Sequence, residues 1–537
     1  MNLLTSPPPT SLGGNIQRYE AWVLGASLLT SFLLNLVTGV RCPSVTFDEA
    51  VWTDPAANLF LGRGFTSSVW YTHPPTSFWA GNAPLHPLLL YCWLRVFGFG
   101  ILAVRSLGYF LAAAAMLLLW IALRRLGWII HASWRLAAVT LIATGYGVAY
   151  GYRMGRPDPL TIFLVCASLL MLSVRSRGLR LGGLLWMGFL FPWAGLQLAV
   201  YAPVLLILVF AFTRGDYLRE GGWVLAGESI GAGALMSLYR VHGVLSDFLR
   251  SAVGLHTSLG RMTLLYKVQD AKMNFGGFLK DPGFLIFLAL ALTLARTSAR
   301  SGIFRWKSFL GFAICSSLFV PVAVFALGIY PIYYSWMAYL PLVICLCASL
   351  GQGTPFLVTS RARWLVTTSI VFATLVGLPA FSVLAAARWN ERDPAPVEQL
   401  AAEALRGEDR ALIHYSAYYG VKKHAKEVYF DSVLPNLTAD EKSSITVLVI
   451  RPEDFFDDVH QLGGAWTDVG KGVHSPAGSG LYGLAHTKIF EMYNLEVYRR
   501  AQTPAATALH PGSDCAIGEP RGEGAANRGA TARPKGA

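Results

Sequence analysis

Two neighbouring carboxylates, Asp48 and Glu49, stand a few residues past the end of a long apolar run. A third, Asp158, stands between two prolines in Arg156-Pro157-Asp158-Pro159. Acids this close to a bilayer cost free energy unless they are solvated or put to use. The first two sit in the segment 41–91, where Trp52, Leu59, Phe60, Trp70, Tyr71, Phe78 and Trp79 alternate with Gly, Pro and His. That segment is too polar to span a membrane and too aromatic for a plain solvated loop. Rings with one apolar and one wet side settle in the headgroup layer. Carboxylates held there suit acid–base chemistry on a lipid-linked substrate, with Asp48 as a base and Glu49 or Asp158 as its partner.

Cations beside these acids would suit a phosphate. Arg153 and Arg156 flank Asp158, and both interrupt an otherwise consistent charge pattern, described below. Asp158 also has a local reading as a helix N-cap followed by Pro at the first helical position. His86, in the first outer segment, is a further candidate substrate-binding residue. In the second long outer segment, 240–282, Arg261 and Lys267 are candidates to grip an anionic lipid phosphate, against a plainer reading as solvated headgroup contacts. Arg105, at the start of an apolar run, reads as an interfacial anchor. Tyr330, Tyr333, Tyr334 and Trp336 read as aromatic belt or core.

The elements that must position these groups are membrane helices. Of 537 residues, 54% are hydrophobic and 14% charged, a bias that excludes a single soluble core. The net charge of +13 is read as topology and headgroup charge, not as a nucleic-acid footprint. Apolar runs of spanning length fall at 20–39, 101–123, 134–151, 159–174, 181–195, 197–213, 222–239, 283–296, 307–328, 331–350 and 363–386, with 84–98 lying in the interface. The expectation is a polytopic α-helical protein with about 11–13 spans. With the tail 1–19 in the cytoplasm, every cytoplasmic connection is basic. The outer segments 41–100, 152–158 and 240–282 hold charge that insertion does not require. The first apolar run reads as an uncleaved anchor.

After the membrane region 20–388 the composition becomes that of a soluble domain over 389–500, with a helix at 395–406 and strands at 411–415, 427–431, 445–451 and 488–498. This predicts a small outer α/β domain, followed by a disordered tail over 501–537. The seven cysteines include no CxxC pair. Cys42 and Cys92 share a side of the membrane, which is all that would favour a disulfide.

The runs Phe47-Asp48-Glu49-Ala50, Leu61-Gly62-Arg63-Gly64, Pro84-Leu85-His86-Pro87-Leu88, Phe97-Gly98 and Val104-Arg105-Ser106 occur in that order. They resemble the N-terminal signature of GT-C-fold glycosyltransferases of the protein O-mannosyltransferase and aminoarabinose-transferase branch. Arg156-Pro157-Asp158-Pro159 looks like that branch's second outer-loop acid. The resemblance covers about residues 20–175. It implies an inverting transferase that takes a sugar from a polyprenyl-phosphate donor to a hydroxyl acceptor on the outer face of a bacterial inner membrane. It also implies that Asp48 is the catalytic or acceptor-binding acid, with Asp158 facing the same cavity. No cofactor is fixed by the sequence, although two acids beside a phosphate have the ligand chemistry for a divalent cation. The acceptor, whether protein, glycolipid or polysaccharide, is not specified. A competing reading is a transporter or flippase of a polyprenyl-linked lipid, which would favour charges at mid-membrane and related halves; Glu228 is the one clear acid of that kind.

Overall fold

The apolar runs become helices joined by short turns. The computed structural model describes residues 13–70, 74–213, 217–260, 281–300, 302, 308–317, 332–352, 360–474 and 493–501. Arg261, Lys267, Tyr330 and the expected tail beyond 501 lie outside the described residues. The first eleven helices are α1 (Gly13–Thr38), α2 (Phe47–Phe60), α3 (Leu85–Phe97), α4 (Ile101–Leu126), α5 (Ala132–Thr144), α6 (Tyr146–Tyr152), α7 (Asp158–Leu172), α8 (Arg177–Ala194), α9 (Leu196–Thr213), α10 (Tyr217–Val241) and α11 (Leu245–Gly260).

Among the described residues, three helical stretches are long and apolar enough to cross a bilayer: Tyr19–Thr38, Ile101–Leu126 and Pro282–Arg300. The pair Ser360–Leu375 and Leu378–Ala387 makes a fourth if its 45° bend lies within one span. Trp22, Leu29, Leu33, Trp186, Ile230, Trp364, Val371 and Leu375 are all exposed on helices. In water so many bare apolar side chains would drive association, whereas lipid is their natural solvent.

Two expected spans are broken. The run 134–151 becomes α5 and α6, parted at Gly145, whose ψ of 143° is extended. A Cβ at Gly145 would lie 2.5 Å from the Tyr339 ring, so the chain turns where another helix presses on it. The run 363–386 bends ahead of Leu378–Ala387, which carries Pro379 in its first turn. The interfacial run 84–98 is the 13-residue helix α3.

Toward the C-terminus a helix at Ala395–Ala404 leads into a five-stranded sheet. Its strands are β1 (Arg410–Ile413), β2 (Glu427–Tyr429), β3 (Val447–Ile450), β4 (Trp466–His474) and β5 (Asn494–Arg500), in the order β2-β1-β3-β5-β4. The pairs β1–β2 and β1–β3 are parallel; β3–β5 and β5–β4 are antiparallel. Every residue of the central strand β3 is buried, as its unbroken Val-Leu-Val-Ile run requires. The edge strand β4 was not expected from the sequence. It is mostly exposed and irregular between Asp468 and Gly472, so it shows no apolar alternation. Of the expected strand 488–498, the first five residues lie outside the described ones.

Candidate active site

Asp48 and Glu49 open α2. Thr46 caps this helix by accepting the Glu49 N–H at 3.3 Å, and acids in the first turn suit the helix dipole. Successive residues on a helix point about 100° apart, so the two carboxylates cannot face one way. Asp48 turns to Arg156, whose Nη1 lies 2.8 Å from its Oδ2. Arg156 Nε lies 2.9 Å from Asp158 Oδ2. One guanidinium therefore joins acids that are 110 residues apart in the chain.

Asp158 is the first residue of α7, and it makes no side-chain cap there. The capping reading is corrected: the carboxylate is used on Arg156, and its Oδ1 accepts the Trp336 indole N–H at 3.2 Å. Arg156 and Asp158 are buried, while the Asp48 side chain keeps 37% of its surface. The loop holding Arg156 lies tightly on α2. A Cβ at Gly155 would meet Val104 Cγ1 at 2.5 Å, Thr53 Oγ1 at 3.0 Å and Glu49 Cγ at 3.3 Å.

Glu49 is sealed. Arg105 grips it with a two-pronged fork, Nε to Oε1 at 2.7 Å and Nη2 to Oε2 at 2.6 Å. Both side chains are fully buried. Arg105 also donates to the carbonyls of Gly39 and Pro43, and Tyr419 donates its hydroxyl to Glu49 Oε1 at 3.0 Å. Arg105 is thus no interfacial anchor. It ties the ends of α1, α2 and α4 together.

Arg153 points elsewhere than its neighbour Arg156. It is fully buried and donates to the Cys42 carbonyl at 2.7 Å and Thr38 Oγ1 at 2.9 Å. It holds the end of α1 and is separate from the Asp48–Arg156–Asp158 group. His86 is 3% exposed, edge-on to Trp52. Burial, and then the charge of Arg156, push its imidazole down to about 3, so it is neutral at physiological pH. Cys42 is buried and Cys92 exposed, and both are free thiols.

The sequence reading missed several partners. Trp336, which reads as aromatic belt or core, is fully buried and also bonds Asp158. Tyr334 bonds Gln197 and lies within electrostatic reach of Arg156, Asp158 and Asp48, as Tyr150 does of Asp48 and Arg156. Aromatic residues at the end of an apolar helix carry the same local signature in a belt as in a site. Among the described residues no three His, Cys, Asp or Glu side chains gather as a metal set.

The fold is that of the GT-C membrane proteins. Among solved structures, ArnT from Cupriavidus metallidurans bound to undecaprenyl phosphate overlays with a TM-score of 0.56 at 12% identity, covering 90% of this chain and 98% of that one. Weaker overlays are with the Archaeoglobus fulgidus oligosaccharyltransferase (TM-score 0.48, 10% identity, 83% of this chain and 71% of that one) and the mycobacterial arabinofuranosyltransferase AftD (TM-score 0.45, 15% identity, 90% and 40%). No family model and no curated protein matches the sequence.

Proposed function

We propose that this protein is an inverting glycosyltransferase of the bacterial inner membrane, moving a sugar from a polyprenyl-phosphate donor to a hydroxyl acceptor on the outer face. The observation that carries the reading is the convergence of Asp48 and Asp158 on Arg156, with Asp48 the open member. Asp48 takes the proton of the acceptor hydroxyl as its oxygen attacks the anomeric carbon. The bond from that carbon to the phosphate oxygen breaks, and polyprenyl phosphate leaves with the electron pair. Arg156 is the cation placed to answer the growing phosphate charge. Asp158 and Trp336 fix the direction of its fork. Glu49, Arg105 and Arg153 are assigned to holding α2 and the end of α1, and His86 to an uncharged support beneath Trp52.

The test uses the full chain in lipid nanodiscs, supplied with polyprenyl-phosphate sugars and acceptors extracted from membranes. Time-dependent release of polyprenyl phosphate, read by mass spectrometry, is expected. Donor that stays intact, or crosses the bilayer with its sugar still attached, would overturn the reading in favour of a carrier.

A further inference from the structure

The C-terminal sheet region touches α2 through groups that carry charge and are shut away from water. Its helix Tyr418–His424 lies between β1 and β2. Tyr419 donates to Glu49, the residue next to Asp48. One turn further along α2, Asp54 is fully buried and forms an ion pair with Lys422 at 2.6 Å, also fully buried. Asp54 Oδ1 accepts the Tyr418 hydroxyl at 2.8 Å, and Oδ2 accepts Ser67 Oγ at 2.9 Å and the Ser68 N–H at 3.1 Å. Around this pair the Phe47 and Phe430 rings lie 5.5 Å apart, Arg63 donates to the Ala425 carbonyl at 2.9 Å and Ser68 to the Val428 carbonyl at 2.7 Å.

A buried ion pair is a poor way to gain stability, because well-packed apolar residues of the same volume do as well or better. Its advantage is directional: a carboxylate held by one ammonium and three fixed hydrogen-bond donors tolerates little sliding. Burial works against the charge on Lys422, and Asp54 is the group that supports it. Contacts at Phe47, Glu49 and Asp54 fall at both ends of the α2 stretch that carries Asp48.

We infer that the C-terminal sheet region is the clamp that sets the position of Asp48, with Tyr419 and Lys422 as positioning residues acting through Glu49 and Asp54. The proposal rests on the reading of Asp48 as the base, and its test must be separable from that reading. Carbodiimide labelling of Asp48 in the full-length protein, quantified by peptide mass spectrometry, reports the Asp48–Arg156 pairing without any turnover. Exposed Asp440 in the same sheet region is the internal control.

In Tyr419→Phe, which deletes one hydroxyl, and in Lys422→Met, Asp48 should label about fivefold faster, the weight of one buried hydrogen bond. Asp440 should label at its original rate, and affinity for added undecaprenyl phosphate should not change. Where Lys422→Met fails to fold, Tyr419→Phe carries the test alone. Unchanged Asp48 labelling in the folded variants overturns the proposal. So does an equal rise at Asp48 and Asp440, which would mean general loosening. Full turnover by Asp48→Asn would defeat the catalytic reading while leaving the labelling result standing.

Discussion

Asp48 and Glu49 are neighbours in sequence and opposites in structure. Asp48 meets one guanidinium and keeps over a third of its side-chain surface. Glu49 meets another guanidinium in full burial, with both oxygens bonded to Arg105 and one also to Tyr419. The same carboxylate chemistry therefore serves two ends. An open acid can meet a substrate, whereas a sealed one can only hold its surroundings. The 100° step between successive helix residues is what separates the two roles.

Stability measurements can break or sharpen this contrast. The largest effect belongs to Arg105→Met, which strands the Glu49 carboxylate in the interior at a cost of about 3–5 kcal/mol. Thermal unfolding should show a steep fall, with a matching loss of membrane abundance. Gly155→Ala comes next. Its Cβ would press on Val104, Thr53 and Glu49, and overpacking of that kind costs about 1–3 kcal/mol. A thermal midpoint equal to that of the wild type would mean that the loop and α2 are not held together as described.

A smaller effect is read through pH. In the sheet region, burial and then Asp431, Asp454 and Asp457 push Asp458 up to about 7 from 3.8. The folded chain therefore holds one more proton than the unfolded chain between these values. Stability should fall as pH rises through that window, and level off above it. Asp458→Asn should flatten the profile, measured as thermal midpoint between pH 4 and pH 8. The smallest change in stability is expected for Asp48→Asn. The Asp48 carboxylate is partly solvated, and the buried Arg156 keeps Asp158 as its partner when that charge is removed.

What could be read from the sequence follows the range of each interaction. The acids Asp48 and Asp158 announced themselves because a charge beside an apolar run is costly, and Arg156 because it broke the charge pattern of the outer side. Strand β3 and the helix Ala395–Ala404 were legible from their own residues. The partners of Glu49 and Asp54 were not. Arg105 lies 56 residues from Glu49, and Tyr418 lies 364 from Asp54. Nothing near Arg105 distinguishes a buried clamp from a headgroup anchor, and nothing local marks Lys422, which falls between two expected strands, as buried. Strand β4 was hidden for the opposite reason, since an exposed edge need not alternate.

The central claim is that the open acid does the chemistry. The measurement that tests it most directly is release of polyprenyl phosphate by Asp48→Asn, normalised to the amount of folded protein in the nanodisc. The account predicts a loss of about a hundredfold or more, the usual weight of a positioned base, with abundance and thermal midpoint near those of the wild type. Wild-type turnover by Asp48→Asn at equal abundance would contradict it.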